Sequence, residues 1–104
     1  MQVLFIGHEL HDVKLMEIKD TLENYQHLVG GYIELAAPVE LREQGIELLV
    51  NEEGVLQGLP LNENLAPFFY VGNAVAVGVF GDEFTSLKDH QLLYLTRWLR
   101  GLRG

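Results

Sequence analysis

The sequence predicts an α+β fold: a small, mainly antiparallel sheet packed by two helices, at about residues 21–29 and 87–100. Three observations predict it. Short β-prone apolar runs recur at Val3–Ile6, Ile46–Val50 and Tyr70–Phe80, separated by turn residues. Two stretches carry helical apolar spacing behind helix-start signals. The length of 104 residues, with 48% hydrophobic and 21% charged residues, suits one folded domain, 1–104, rather than a disordered chain.

Val3-Leu4-Phe5-Ile6, ended by Gly7, reads as the first strand. Val13 to Ile18 fits either a strand returning on the first or the start of helical spacing through Leu22 and Tyr25. The strand is preferred, because a better helix start follows. Asp20-Thr21-Leu22-Glu23 reads as an N-cap aspartate with a glutamate three residues on, and Leu22, Tyr25, Leu28 and Val29 then mark one face. Gly30-Gly31 stops that helix, since glycine adopts the left-handed conformation without a Cβ clash.

Tyr32 to Ala36 reads as a strand ended by Pro38, and Val39 to Gly45 as a charged connection. Ile46 to Val50 alternates with Ile46, Leu48 and Val50 inward and Glu47 outward. Asn51-Glu52-Glu53-Gly54 reads as a hairpin turn with Gly54 at positive φ, followed by a short return strand, Val55 to Gln57. Asn62 to Phe69 reads as a loop or short helical turn, limited by Pro67. Tyr70 to Phe80 is the longest β run. Its two faces, Val75/Val77/Val79 and Ala74/Ala76/Gly78, are both apolar, so it is expected to be central, with the small face admitting a helix. Gly81-Asp82 is a turn, Ser86 the expected cap of the last helix, and Gly101 its expected end. Trp98 is expected to be buried against the small face, whereas Leu93 falls on the polar side.

The net charge is −8. Fourteen of the fifteen acids precede residue 84, while four of the seven Lys and Arg (Lys88, Arg97, Arg100 and Arg103) follow it. A balance this acidic argues against general nucleic-acid binding, which needs clustered cations. The absence of cysteine removes disulfides, thiolate metal sites and thiol nucleophiles together. No run approaches the ~18 apolar residues of a membrane span. The start, MQVLFIGHE, lacks the basic and apolar regions of a secretory signal, so a cytoplasmic location is expected by elimination.

His8-x-x-His11, with Glu9 and Asp12 alongside, is the one arrangement with any metal-like spacing. It falls in a turn and its spacing is loose, so no metal or cofactor is expected. Glu52 and Glu53 form a carboxylate pair, but as central turn residues they are expected to be solvated. Thr21, Thr85 and Ser86 sit at helix starts, and no Ser-His-Asp arrangement is readable. The candidate contact surface is instead an outer sheet face carrying Tyr32 and Glu34 from one strand and Glu47 and Asn51 from another, with Asn62 beside it and Arg97 able to fold over it. An aromatic plane, an amide and carboxylates together suit a base or sugar, or a partner protein.

Val29-Gly30-Gly31-Tyr32-Ile33-Glu34, Val50-Asn51-Glu52-Glu53-Gly54 and Gly58-Leu59-Pro60-Leu61-Asn62 resemble motifs of an uncharacterised family, the domain of unknown function 3846. Asp20-Thr21-Leu22-Glu23, Gly72, Gly78 and Phe84-Thr85-Ser86-Leu87 resemble further motifs in the same order, over roughly residues 2 to 95. Where such proteins often carry arginine after the asparagine, this chain has Glu63, which removes an anion contact there. The resemblance implies a protein of phages or mobile elements, and it supports a strand at Val13 to Ile18. It implies no activity.

The function expected from these readings is a non-enzymatic binding protein in the bacterial cytoplasm. Counter-defence is its concrete form: sequestering a nucleotide-like signal or blocking a host protein. A small hydrolase using Glu52 or Glu53, and a regulatory protein-interaction module, are the alternatives. Assembly into homo-oligomers is compatible with each.

Overall fold

The alternating apolar runs form one antiparallel sheet of six strands: β1 (Gln2–Ile6), β2 (Val13–Glu17), β3 (Ile33–Leu35), β4 (Ile46–Asn51), β5 (Ala74–Phe80) and β6 (Glu83–Thr85). A computed structural model describes all residues, Met1–Gly104. The strand order is β2-β1-β5-β4-β3, with β6 paired to β5 off this path. Three helices complete the α+β fold: α1 (Leu22–Val29), the single turn α2 (Val39–Arg42) and α3 (Asp89–Leu102), with a 3-10 turn at Glu63–Leu65.

β5 is central because both its faces are apolar. Val75 and Val77 join Val3, Phe5 and Leu49 beneath Tyr25 and Val29 of α1. Ala74 and Ala76 join Leu4, Ile6 and Leu48 beneath Leu95 and Leu99 of α3. The alanines leave room for α3 to approach, as the small face implied. The helices thus lie on opposite faces of the sheet. Gly30 ends α1 at φ 80°, its N–H donating to Gln26 O.

Several boundaries differ from the sequence expectation, each for a local reason. Thr21, rather than Asp20, caps α1, its Oγ1 accepting from Asn24 N at 3.2 Å, while Asp20 Oδ1 accepts from Tyr25 Oη at 2.6 Å. Ser86 does not cap α3. Its Oγ accepts from Gln2 N at 2.9 Å, so it holds β1, and the α3 cap position is Lys88, whose N–H donates to Gln91 Oε1 at 2.9 Å. α3 passes through Gly101 to Leu102. Val39–Arg42 is helical rather than a plain connection, and Glu83–Thr85 is a strand of only three residues, too short to show a period.

The hairpin expected at Asn51–Gly54 does not form. Residues 52–58 wind through helix-like bonds, Gln57 N to Glu53 O at 2.9 Å and Gly58 N to Val55 O at 3.1 Å, so Val55–Gln57 is no return strand. The positive φ of this turn falls at Gly58 (66°), not at Gly54. The long β run begins at Ala74 rather than Tyr70, because Val71 pairs with Leu61 in an isolated bridge. Trp98 is half-buried at the margin of the α3 core, its ring 5.8 Å from that of Phe68, while Leu95 and Leu99 fill the centre.

Candidate functional site

Alternation sets which residues of one strand share a side, and register sets how two strands match. Across the β3–β4 pair, Ile33 stands opposite Asn51, Glu34 opposite Val50 and Leu35 opposite Leu49. Glu34 therefore belongs to the α3 face, whereas Glu47, Leu49 and Asn51 belong to the α1 face. The surface expected from Tyr32, Glu34, Glu47 and Asn51 is split between the two sides of the sheet.

Glu47 and Asn51 are also buried, at 7% and 4% exposure, because β4 is covered on both faces. Glu47 Oε1 accepts from Ala37 N at 2.9 Å and Leu48 N at 3.1 Å, and its Oε2 from Arg42 Nε at 3.2 Å. Asn51 Nδ2 donates to Val29 O at 3.3 Å and Gln57 Oε1 at 3.0 Å, and its Oδ1 accepts from Glu53 N at 2.8 Å. Asn51 thus ties the end of α1 to the 52–58 turn. Asn62 is buried as well. Its Nδ2 donates to Ile6 O and Gly72 O, and its Oδ1 accepts from Asn64 N and Leu65 N, capping the 3-10 turn. The asparagines of the two central motifs are spent on the fold, each satisfying several backbone groups that burial would otherwise leave unpaired.

Glu34 on β3 and Tyr32 just before it remain exposed. Glu34 borders a cleft of about 140 Å³, together with Asn51 at the end of β4 and Glu52, Val55, Phe69, Tyr70 and Val71, so two of the four expected surface residues do meet there. Phe69 and Val55 stand 88% and 79% exposed at its rim. The Tyr70 hydroxyl donates to Ala36 O, and burial, reinforced by Glu40 and Glu47 and opposed by Arg42, raises its pKa. The cleft therefore joins an apolar lining to two exposed carboxylates. Glu53 does not border it, and Arg97, exposed on α3, borders none of the surface cavities.

His8 and His11 separate. His8 shares a cavity with His27, Gly30 and Asn73, while His11 lines another with Arg100 and Arg103. No three His, Asp or Glu side chains converge in a metal-holding group. The sequence pattern does not single out the cleft residues Val55, Phe69 and Tyr70, nor Asn64, which is buried beneath the surface and lines no cavity. Val55 was hidden by its assignment to a strand. Phe69 follows Pro67 in an irregular segment, where no period separates exposed from buried aromatics.

No helix is long and apolar enough to cross a membrane. The model of one family, described as Domain of unknown function (DUF3846), matches residues 1–100. No curated protein and no solved structure matches the chain.

Proposed function

The chain belongs to the DUF3846 family, and from that premise we propose a small non-enzymatic binding protein that grips a basic protein segment at the cleft beside β3. The observation that carries this reading is the cleft itself. Its volume is about 140 Å³. Small-molecule sites span about 300–1,000 Å³, so a nucleotide is too large for it, whereas one anchoring side chain of a partner fits. The exposed Phe69 and Val55 supply apolar contact, and Glu34 and Glu52 favour a Lys- or Arg-bearing partner.

The strand edge supports the same reading. Tyr32 O and Ala36 N bond to β4 through Glu52 N and Leu48 O, so the alternate residues Ile33 and Leu35 present their backbone groups to the free edge. Arg42 Nη2 reaches Leu35 O at 3.4 Å, a long bond that a partner strand readily replaces. A partner segment adding beside β3 would place one side chain in the cleft. A second copy of this chain is disfavoured, because its net charge of −8 repels its like. In the phage or mobile-element setting that the resemblance implies, the partner is a bacterial host protein and the effect is counter-defence.

Cross-linking with mass spectrometry in a bacterial host tests this. Cross-links from the native protein are expected to map to the 52–58 turn and Phe69. Phe69→Ser with Val55→Ser should abolish them without lowering the melting temperature, and Phe80→Ser, at the far end of β5, should not. Cross-links that persist in the double variant, or a concentration-dependent dimer at this face, would overturn the reading.

A further inference from the structure

A second cavity, of about 220 Å³, lies between the C-terminal half of α3 and the β1–β2 connection. Leu4, Val13 and Leu99 form its apolar lining, and His11, Arg100 and Arg103 bring donors to it. We infer that this cavity binds a small oxyanion of the phosphate class, held by the guanidinium groups of Arg100 and Arg103 with the His11 imidazole. The inference is independent of the protein-binding cleft, which lies at the other edge of the sheet, beside β3.

Charge distribution is the first argument. The chain has fifteen acids against seven Lys and Arg, so a basic residue here has an excess of carboxylates to pair with. Ion pairs form between the N-terminal ammonium and Glu17, Lys14 and Asp12, and Arg42 and Glu47, and none involves Arg100 or Arg103. No carboxylate lines the cavity. Asp12, adjacent to His11, faces Lys14 at 3.9 Å. Two guanidiniums therefore border one concavity without a carboxylate partner, each with N–H donors in the fork geometry that suits phosphate oxygens.

The second argument is how the donors are held. Asn64 is fully buried, and its Oδ1 accepts from both His11 N at 2.8 Å and Arg103 Nη2 at 3.3 Å. Its Nδ2 donates to Gly7 O at 2.8 Å and Glu9 O at 2.7 Å, fixing the connection that carries His11. His11 is the one non-glycine residue with positive φ, 72°. Arginines near a helix C-terminus complement its dipole, and histidine tolerates the left-handed region better than most residues. Neither effect accounts for one buried oxygen locking a strained histidine and an arginine onto the same cavity. Strain maintained by a buried network is a mark of functional positioning. The volume also fits the ligand: it is too small for a dinucleotide and ample for a tetrahedral oxyanion.

Titration of the full chain with inorganic phosphate, at ionic strength held constant with chloride, tests the inference through amide and side-chain chemical shifts. Saturable shifts are expected at His11, at the Asn64 side chain and along Leu99–Arg103. Arg100→Gln with Arg103→Gln should weaken phosphate binding by about tenfold or more, from the loss of charge-assisted hydrogen bonds. Arg97→Gln, which removes the same charge from a residue outside the cavity, should leave it unchanged. His11→Gly relieves the positive φ while deleting the imidazole, so the melting temperature should rise by about 2–4 °C as phosphate affinity falls. Shifts that do not saturate, an equal loss in Arg97→Gln, or unaltered binding in both cavity variants would overturn it.

Discussion

Ile33 stands directly opposite Asn51 across the β3–β4 pair. This one relationship sends Tyr32 and Glu34 to the far side of the sheet from Glu47 and Asn51. It divides an expected polar face into a buried network around Glu47 and Asn51 that holds the sheet and an exposed edge at Tyr32 and Glu34, the two parts meeting only where Asn51 and Glu34 border one cleft. A slip of β3 by one residue would have put all four side chains on one face, at the cost of turning Ile33 away from the α1 core.

Asn51 is accordingly expected to matter for stability and Tyr32 not at all. Asn51→Ala deletes bonds to Val29 O, Gln57 and Glu53 N inside a buried site. A cost of about 2–3 kcal/mol follows, because the freed backbone groups stay buried without partners. Tyr32→Ala, on an exposed residue, should fall within about 0.5 kcal/mol of the parent. Urea unfolding of both variants is the measurement, and equal midpoints would contradict the network.

Stability should also decline at alkaline pH. The phenol of Tyr25 is almost fully buried and donates to Asp20, and burial first, then that hydrogen bond and the Asp20 charge, raise its pKa above the ordinary 10.0. The Tyr70 pKa is raised as well. A raised acid is protonated more tightly when folded, so its contribution is complete below the unfolded value and is lost as pH climbs past about 10. The melting temperature should therefore be level through neutral pH and fall above it. Tyr25→Phe should lose about 1 kcal/mol at pH 7, from the missing hydrogen bond, and show a shallower alkaline decline. The same alkaline slope in both proteins would count against the assignment.

Trp98 and Leu95 provide a direct comparison of helix positions. Both lie on the apolar stripe of α3, yet Leu95 is fully buried, while Trp98 packs at the margin on the Phe68 ring. Leu95→Ala should cost about 3–4 kcal/mol by opening a central cavity. Trp98→Ala should cost only about 1–2.5 kcal/mol, since its site partly collapses into solvent. Denaturant midpoints in the reverse order would show that the helix rolls about its axis relative to this packing.

The features legible in the sequence were those that one segment determines by itself. The two-sided apolar pattern of Ala74–Phe80 announced a central strand, and the Gly30 stop and the α3 stripe announced the two helices on the sheet. The candidate site was harder, because it depends on relations between segments. The pairing of Glu34 with Val50 is a matter of register, and the burial of Glu47 depends on Ala37 N and Arg42 coming to it. Asn64 gave no signal at all: apart from Asn62 in its own turn, its partners lie 39 or more residues away, in the β1–β2 connection and at Arg103 just past α3. The caps failed because other donors took those side chains: at Asp20 the Tyr25 phenol, one turn into α1, and at Ser86 the distant strand β1.

Gly54 separates two explanations for one glycine. Its φ is not positive, so a turn conformation does not demand glycine there. A Cβ would instead lie 2.7 Å from Val71 Cγ2, on a β-branched side chain with little rotamer freedom. Gly54→Ala should therefore cost about 1–3 kcal/mol through overpacking. If that contact is the cause, shortening the neighbour relieves it. Val71→Ala is expected to be mildly destabilising alone, and the double variant should recover at least about 1 kcal/mol relative to the sum of the singles. Gly58→Ala, at φ 66° with nothing within 4 Å of the added carbon, should cost about 1 kcal/mol and show no coupling to Val71. A four-variant denaturation cycle measures both. Additive losses at Gly54 and Val71 would mean that the 52–58 turn does not rest on the segment leading into β5, and the cleft between them would lose its wall.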